Sequence, residues 1–406
     1  MRISLCMIVR DEAEMLPALL ASVRGLWDEL VAVDTGSTDA TPGILANEGA
    51  TVLRRPWGDD FAAARNHGLE RAGGDWVLVL DADERVEPAL AAEIRRTVED
   101  PRCGAASLLV LNRLPHGHSR SSRTLRLFRR DPSIRFRHAI HEDVSEDVDG
   151  FLARSGLRRV DLKTPLLHLG YVREHASAKR KKERDVAILR ATLARDPSDH
   201  YARMKLLEQA RFWGDRPLWA QAAAEAASAL ARDGAEALRS AHFAGELVAL
   251  MADGLHDKDA RAALRCLESF AGRIPPSAAY ELRRGELREV LGDLAGARAA
   301  FLACLALGGA TGNAQLATVR PRLGLARLAL AAGDLAGAAR EAEQALVLAP
   351  LDPEALLLLA TLRRACGGPA ELARFAEERR AESGDRAEIH AAVHEAALNA
   401  GDEAAG

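Results

Sequence analysis

Through about residue 110 the chain alternates short apolar runs with stretches of helical spacing. Ile3 to Val9, Leu30 to Val33, Thr51 to Leu53 and Trp76 to Leu80 predict strands, while Glu14 to Leu26, Thr41 to Glu48 and Phe61 to Ala72 predict helices. Strands alternating with helices predict βαβ units and a parallel sheet covered on both faces. Ligands of such sheets sit beyond the carboxyl ends of the strands. Polar clusters just after Val9, Val33 and Leu80 are therefore where chemistry is expected.

From about Ala176 the pattern changes to long Ala/Leu/Arg/Glu segments punctuated by glycine and proline. Gly333-Asp334-Leu335-Ala336-Gly337-Ala338 repeats Gly292-Asp293-Leu294-Ala295-Gly296-Ala297 at an interval of 41 residues, and Gly367-Gly368-Pro369-Ala370 follows 34 residues later. A tetratricopeptide unit has a period of about 34 residues, so the longer interval predicts one period plus an insertion at Gly308 to Asn313. Trp213-Gly214-Asp215 and Ile274-Pro275-Pro276 are weaker candidates. A solenoid of at least three helical hairpins is expected.

With 406 residues, the chain has room for two or three domains. Of its 17 aromatic residues, 12 occur by Trp219, including every tryptophan. That asymmetry favours two domains, an aromatic-bearing α/β unit and an Ala/Leu solenoid. The net charge of −4 argues against a nucleic-acid partner held by overall charge. Cys6, Cys103, Cys266, Cys304 and Cys366 lie far apart, which fits a reducing cytoplasm better than a disulfide framework. The apolar opening stops at Arg10-Asp11-Glu12, too short for a secretory leader, and no window approaches the roughly 20 apolar residues of a membrane span.

Val33-Asp34-Thr35-Gly36-Ser37-Thr38-Asp39 follows one predicted strand and Leu80-Asp81-Ala82-Asp83-Glu84 another. Two carboxylates at one strand end repel unless a cation lies between them, and a hard divalent ion bridging phosphate oxygens suits them. Phe61-Ala62-Ala63-Ala64-Arg65-Asn66 brings a guanidinium able to pair with phosphate. Between Arg113 and Arg137 there are eight arginines and a single acidic residue, Asp131, which reads as a phosphate cup or as a lid that orders over the site. Asp34-Thr35-Gly36-Ser37 also spells an aspartic-protease signature, but the helical sequence that follows does not suit that β-rich fold. Neither a Walker A loop nor a GxGxxG is present.

Taken in order, Ser4 to Glu12, Val33 to Asp39, Pro56-Trp57-Gly58-Asp59-Asp60-Phe61 with Ala64-Arg65-Asn66, Asp81-Ala82-Asp83-Glu84, His141-Glu142 and His168-Leu169-Gly170-Tyr171 resemble family 2 glycosyltransferases of the GT-A fold. The subgroup resembled couples that domain to tetratricopeptide-like repeats, as in SunS-type peptide glycosyltransferases. The resemblance implies a GT-A domain over residues 1–175, a linker helix over 176–200 and repeats over 201–406. Arg184-Asp185 departs from an expected Arg-Asn. By position, the resemblance implies a UDP-sugar donor contacted by Val9, Arg10, Asp34, Asp39, Arg65, Asp81 and Asp83. It further implies Mn²⁺ or Mg²⁺ near Asp83, Asp81 and His168, and a general base at Glu142 or Asp143, with Glu142 preferred. The implied reaction is inverting transfer to a Ser/Thr or Cys side chain of a peptide or protein, with the repeat groove helping to hold the acceptor. A lipid-linked or cell-surface glycan acceptor and a non-catalytic repeat scaffold are the alternatives, and the competing role for the repeats is pairing the enzyme as a homodimer.

Overall fold

A computed structural model describes residues 1–113, 119–169, 175–256, 258–308, 317–384 and 386–400. The chain forms two compact units, Met1–Gln209 and Ala210–Gly406. Of the sequence features above, Gly170, Tyr171 and the insertion beyond Gly308 lie outside the described residues.

The first unit is built on a mixed sheet of β1 (Ile3–Val9), β2 (Glu29–Asp34), β3 (Thr51–Arg54), β4 (Trp76–Val79), β5 (Glu84–Arg85), β6 (Cys103–Arg113), β7 (Ser119–Arg129) and β8 (Arg158–His168), in the order β3-β2-β1-β4-β7-β6-β8-β5. Its helices are α1 (Leu16–Ser22), α2 (Thr41–Asn47), α3 (Phe61–Leu69), α4 (Pro88–Glu99), α5 (Ser145–Ser155), α6 (His175–Arg195) and α7 (His200–Phe212). Alternation along β1 explains why both faces are covered. Ile3, Leu5, Met7 and Val9 pack in one core with Leu16 and Leu19 of α1 and Leu90 and Ile94 of α4. Cys6 belongs to the opposite core with Val31, Val77, Phe128 and Ala62 of α3.

Strands β1 to β4 pair in parallel, as the βαβ pattern predicts. Beyond β4 the sheet departs from that expectation, because β7 runs antiparallel to both β4 and β6. The β6–β7 connection is too short for a parallel crossover, so the two strands pair as a hairpin. The arginine-rich stretch is therefore largely strand β7 and the segment after it, rather than a loop over the site. Arg123 donates to the Leu162 carbonyl, Arg129 to that of Cys103 and Arg130 to that of Gly74.

The second unit is helical: α8 (Arg216–Asp233), α9 (Ala244–Leu255), α10 (Ala260–Glu268), α11 (Ala278–Val290), α12 (Leu294–Leu307), α13 (Val319–Ala331), α14 (Leu335–Leu348), α15 (Pro353–Ser383, broken at Gly368) and α16 (Ala387–Asn399). The repeated Gly-Asp pair makes its turns. Gly214, Gly292 and Gly333 end one helix at φ of 62°, 78° and 77°, and the following aspartates cap the next by accepting from the N–H groups of Leu218, Gly296 and Gly337. Fully buried Phe301 lies between α11 and α13, and a Cβ at Gly285 or Gly324 would come within 2.5 Å of its ring. Gly285→Ala and Gly324→Ala are each expected to destabilise by about 1–3 kcal/mol through overpacking. In urea unfolding, Phe301→Leu should recover part of the Gly285→Ala loss; strictly additive losses would contradict this packing.

Candidate active site

Strand register sets the first half of the site. Val9 of β1 pairs with Asp34 of β2, and the Val9 carbonyl accepts from both the N–H and the hydroxyl of Thr35. Asp34 is buried, and its Oδ1 accepts from Gly36 N at 3.2 Å and Ser37 N at 2.8 Å. The two loops that follow clasp each other. Asp11, at φ 52°, accepts from Thr38 N through Oδ1, while Asp39 accepts from Ala13 N through Oδ2 and from Thr41 N through Oδ1. Hydrogen bonding from Thr41 holds the exposed Asp39 carboxyl below its usual range. Arg10 is exposed beside Asp11.

The centre of the site is a cation on α3. Asp60 caps that helix by accepting from Ala63 N at 2.8 Å, which fixes where Arg65 emerges. The buried Arg65 guanidinium donates from Nε to Glu142 Oε1 at 2.7 Å and from Nη2 to Asp81 Oδ1 at 2.9 Å. Burial works against its charge, but Asp81 and Glu142 outweigh that and raise its pKa. A second arginine, Arg126 of β7, donates from Nη2 to Asp81 Oδ2 and to Glu84 Oε1, both at 2.9 Å. Burial would raise the Asp81 carboxyl, yet the two guanidiniums hold it well below the carboxylate range. Glu84, with no solvent exposure, also accepts from Asp81 N. Burial pushes its carboxyl up to about 7, with Arg126 opposing.

Asp83 lies on the other side of this pair. Its Oδ2 is 3.3 Å from His168 Nε2, and its carbonyl accepts from Leu169 N, which docks the end of β8. His168 Nδ1 lies 2.8 Å from Asn112 Oδ1. Burial alone would depress the His168 pKa, but Asp83 raises it. Among the described residues no three His, Cys, Asp or Glu side chains converge as a set able to hold a metal.

Adjacent Glu142 and Asp143 separate. Glu142 turns to Arg65, whereas Asp143 Oδ1 accepts from Ser145 N and Ser145 Oγ at the start of α5. Asn66, next to Arg65, pairs through its amide with both the N–H and the carbonyl of Phe136, bringing the loop under α3. The structure thus gathers Arg65, Asp81 and Glu142 at one point, Asp83 and His168 beside it, and Val9, Arg10, Asp34 and Asp39 around the β1 and β2 loops. Sequence reasoning gave no individual role to Arg126 or Asn66, though both lie in stretches it singled out, and it missed Asn112. The signal for Arg126 was a charge inside the apolar run Leu125-Arg126-Leu127-Phe128.

Residues 4–159 match the model of the family described as Glycosyl transferase family 2. A TPR repeat-containing protein of Synechococcus elongatus is 42% identical over 207 residues, covering 50% of this chain and 51% of that protein. The SPbeta prophage-derived glycosyltransferase SunS of Bacillus subtilis is 25% identical over 196 residues, covering 47% of this chain and 45% of its own. The chain thus spans about half the length of these two curated relatives. The solved mannosyltransferase PcManGT of Pyrobaculum calidifontis, in complex with GDP-Man and Mn²⁺, is 22% identical, aligns over 64% of this chain and 88% of its own, and gives a TM-score of 0.35.

Because the Asp81 carboxyl is lowered on folding, it stabilises the protein above its unfolded pKa of about 3.9, and that contribution is lost as pH falls below this value. Stability measured by urea unfolding should decline between about pH 4 and 2, with a shallower acid limb in Asp81→Asn. Equal acid slopes in the two proteins would contradict the pairing.

Proposed function

We propose that this chain, which carries a glycosyl transferase family 2 domain over residues 4–159, is a metal-dependent inverting glycosyltransferase that moves a sugar from a UDP-sugar to a peptide or protein side chain. The observation that carries the reading is the Asp81–Arg65–Glu142 link, which joins a strand-end carboxylate to a second acid through one buried guanidinium. Asp34 and the β1 and β2 loops bind the base and ribose of the donor, and Asp39 keeps those loops closed on each other.

The Asp83 and His168 donor set fits a divalent ion. One hard oxygen and one imidazole nitrogen lie close together, with Asn112 orienting the ring from behind, as second-shell partners of metal-bound histidines do. Asp83 and His168 would hold Mn²⁺ or Mg²⁺, which when bound stabilises negative charge on the departing diphosphate. Both Asp81 oxygens are engaged by guanidiniums, so Asp81 anchors the turn and meets the ribose or a coordinated water.

Glu142 serves as the base. Arg65 takes its Oε1, whereas Asp143 Oδ1 accepts from the N–H and hydroxyl of Ser145 at the start of α5. As the acceptor oxygen or sulfur bonds to the anomeric carbon, the bond from that carbon to the diphosphate oxygen breaks and the acceptor proton passes to Glu142. The helical unit supports the peptide-acceptor reading, since stacked helical hairpins offer extended surfaces suited to a peptide.

Donor hydrolysis and transfer can be followed by mass spectrometry with UDP-glucose, UDP-galactose and UDP-N-acetylglucosamine, scoring incorporation into peptide and lipid fractions separately. Glu142→Gln should lower turnover by about 10²- to 10⁴-fold with donor affinity retained. Asp83→Ala and excess chelator should both abolish turnover, and Mn²⁺ should restore the chelated wild type. Full activity in chelator would overturn the metal role, and incorporation confined to lipid would replace the peptide acceptor.

A further inference from the structure

The loop that carries Glu142 has an unfavourable backbone, and the groups that secure its last turn come from a helix beyond the family-matched segment. His138 and His141 have φ of 69° and 54°, the left-handed region that a non-glycine residue keeps only where its surroundings over-determine it. Arg137 and Asp143 exchange two backbone hydrogen bonds across the base of the loop, at 2.8 and 3.1 Å, and Phe61 N donates to the Ala139 carbonyl at 2.7 Å. These bonds fix the two ends and the middle of the loop. His141, immediately before Glu142, is secured by α7.

Tyr201 of α7 stacks on His138 with ring centroids 3.8 Å apart and planes inclined by 21°, and its hydroxyl donates to the His141 carbonyl at 3.1 Å. Two helical turns later, Gln209 Nε2 lies 3.1 Å from His141 Nε2. Residues four and eight apart share a helix face, so Tyr201, Lys205 and Gln209 form one row along α7. Burial first, and then the Lys205 charge, depress the His141 pKa. Its neutral ring can accept the Gln209 amide proton at Nε2.

We propose that Tyr201 and Gln209 are positioning residues: α7 completes the active-site loop by fixing the carbonyl and ring of His141, and through them the direction in which Glu142 presents its carboxylate. This proposal rests on the reading of Glu142 as the base. It gives a helix well outside residues 4–159 a part in the chemistry, and it accounts for two strained histidines that neither donor nor metal contact explains.

The test uses the full chain with Tyr201→Phe, which removes one hydroxyl, Gln209→Leu as a second variant, and Glu142→Gln as the control on the base. Hydrolysis of the three UDP-sugars with Mn²⁺ gives kcat and KM, thermal melting gives stability, and amide hydrogen exchange reports on the N–H groups of Phe61 and Asp143. Tyr201→Phe is expected to lower kcat about tenfold with donor KM within about twofold. The two amides should exchange about tenfold faster while the melting temperature holds. Wild-type kcat with unchanged exchange in both α7 variants would overturn the proposal, as would parallel loss of kcat, donor affinity and melting temperature. Glu142→Gln separates the two readings. If it hydrolyses donor at the wild-type rate, the base assignment fails whatever α7 does, and if it is slow while both α7 variants turn over normally, the assignment stands and the positioning role falls.

Discussion

The first unit depends on keeping one guanidinium charged inside the protein. Arg65 is among the few charged residues buried in this structure, and removing such a group from water costs several kcal/mol unless opposite charge meets it in good geometry. Asp81 and Glu142 meet it from different parts of the chain. The strand-end turn after β4 and the loop before α5 therefore cannot move apart without stranding a buried charge. A constraint on stability thus becomes a constraint on the geometry of the candidate site.

Arg126 carries the same logic into the sheet. It lies on β7, which is antiparallel to β4, and binds the outer oxygen of Asp81 together with Glu84. Asp81 is consequently gripped from α3 on one side and from β7 on the other. Asp83 is left to face His168 at the end of β8. Asp81 and Asp83, separated by a single residue, thereby acquire different partners, two guanidiniums for the one and an imidazole for the other. Neighbouring partners create that difference, since the residues are chemically identical.

The β1 to β4 core was legible in the sequence because each strand is a short apolar run ending in a polar cluster, the arrangement that places ligands at strand ends. The Gly-Asp repeat was legible for a similar reason: a left-handed glycine followed by a capping aspartate is a local device with a fixed spacing. The hairpin of β6 and β7 was hidden by its arginines. Arg123, Arg129 and Arg130 satisfy backbone carbonyls across the sheet, contacts that no local pattern encodes. Glu142 and Asp143 are neighbours in sequence, and only the tertiary partners, Arg65 for one and Ser145 for the other, tell them apart. The strain at His138 and His141 was invisible, because a histidine carries no mark of its φ.

If Arg65 and Glu142 act as a unit, a double-mutant cycle on UDP-sugar hydrolysis must show it. The rates of wild type, Arg65→Met, Glu142→Gln and the double variant, with unfolding measured in parallel, give the coupling free energy. Residues in direct contact within one network couple by about 0.5–3 kcal/mol, and a value in the upper part of that range is expected here, with the double variant scarcely slower than the worse single one. Rate losses that simply add would contradict it.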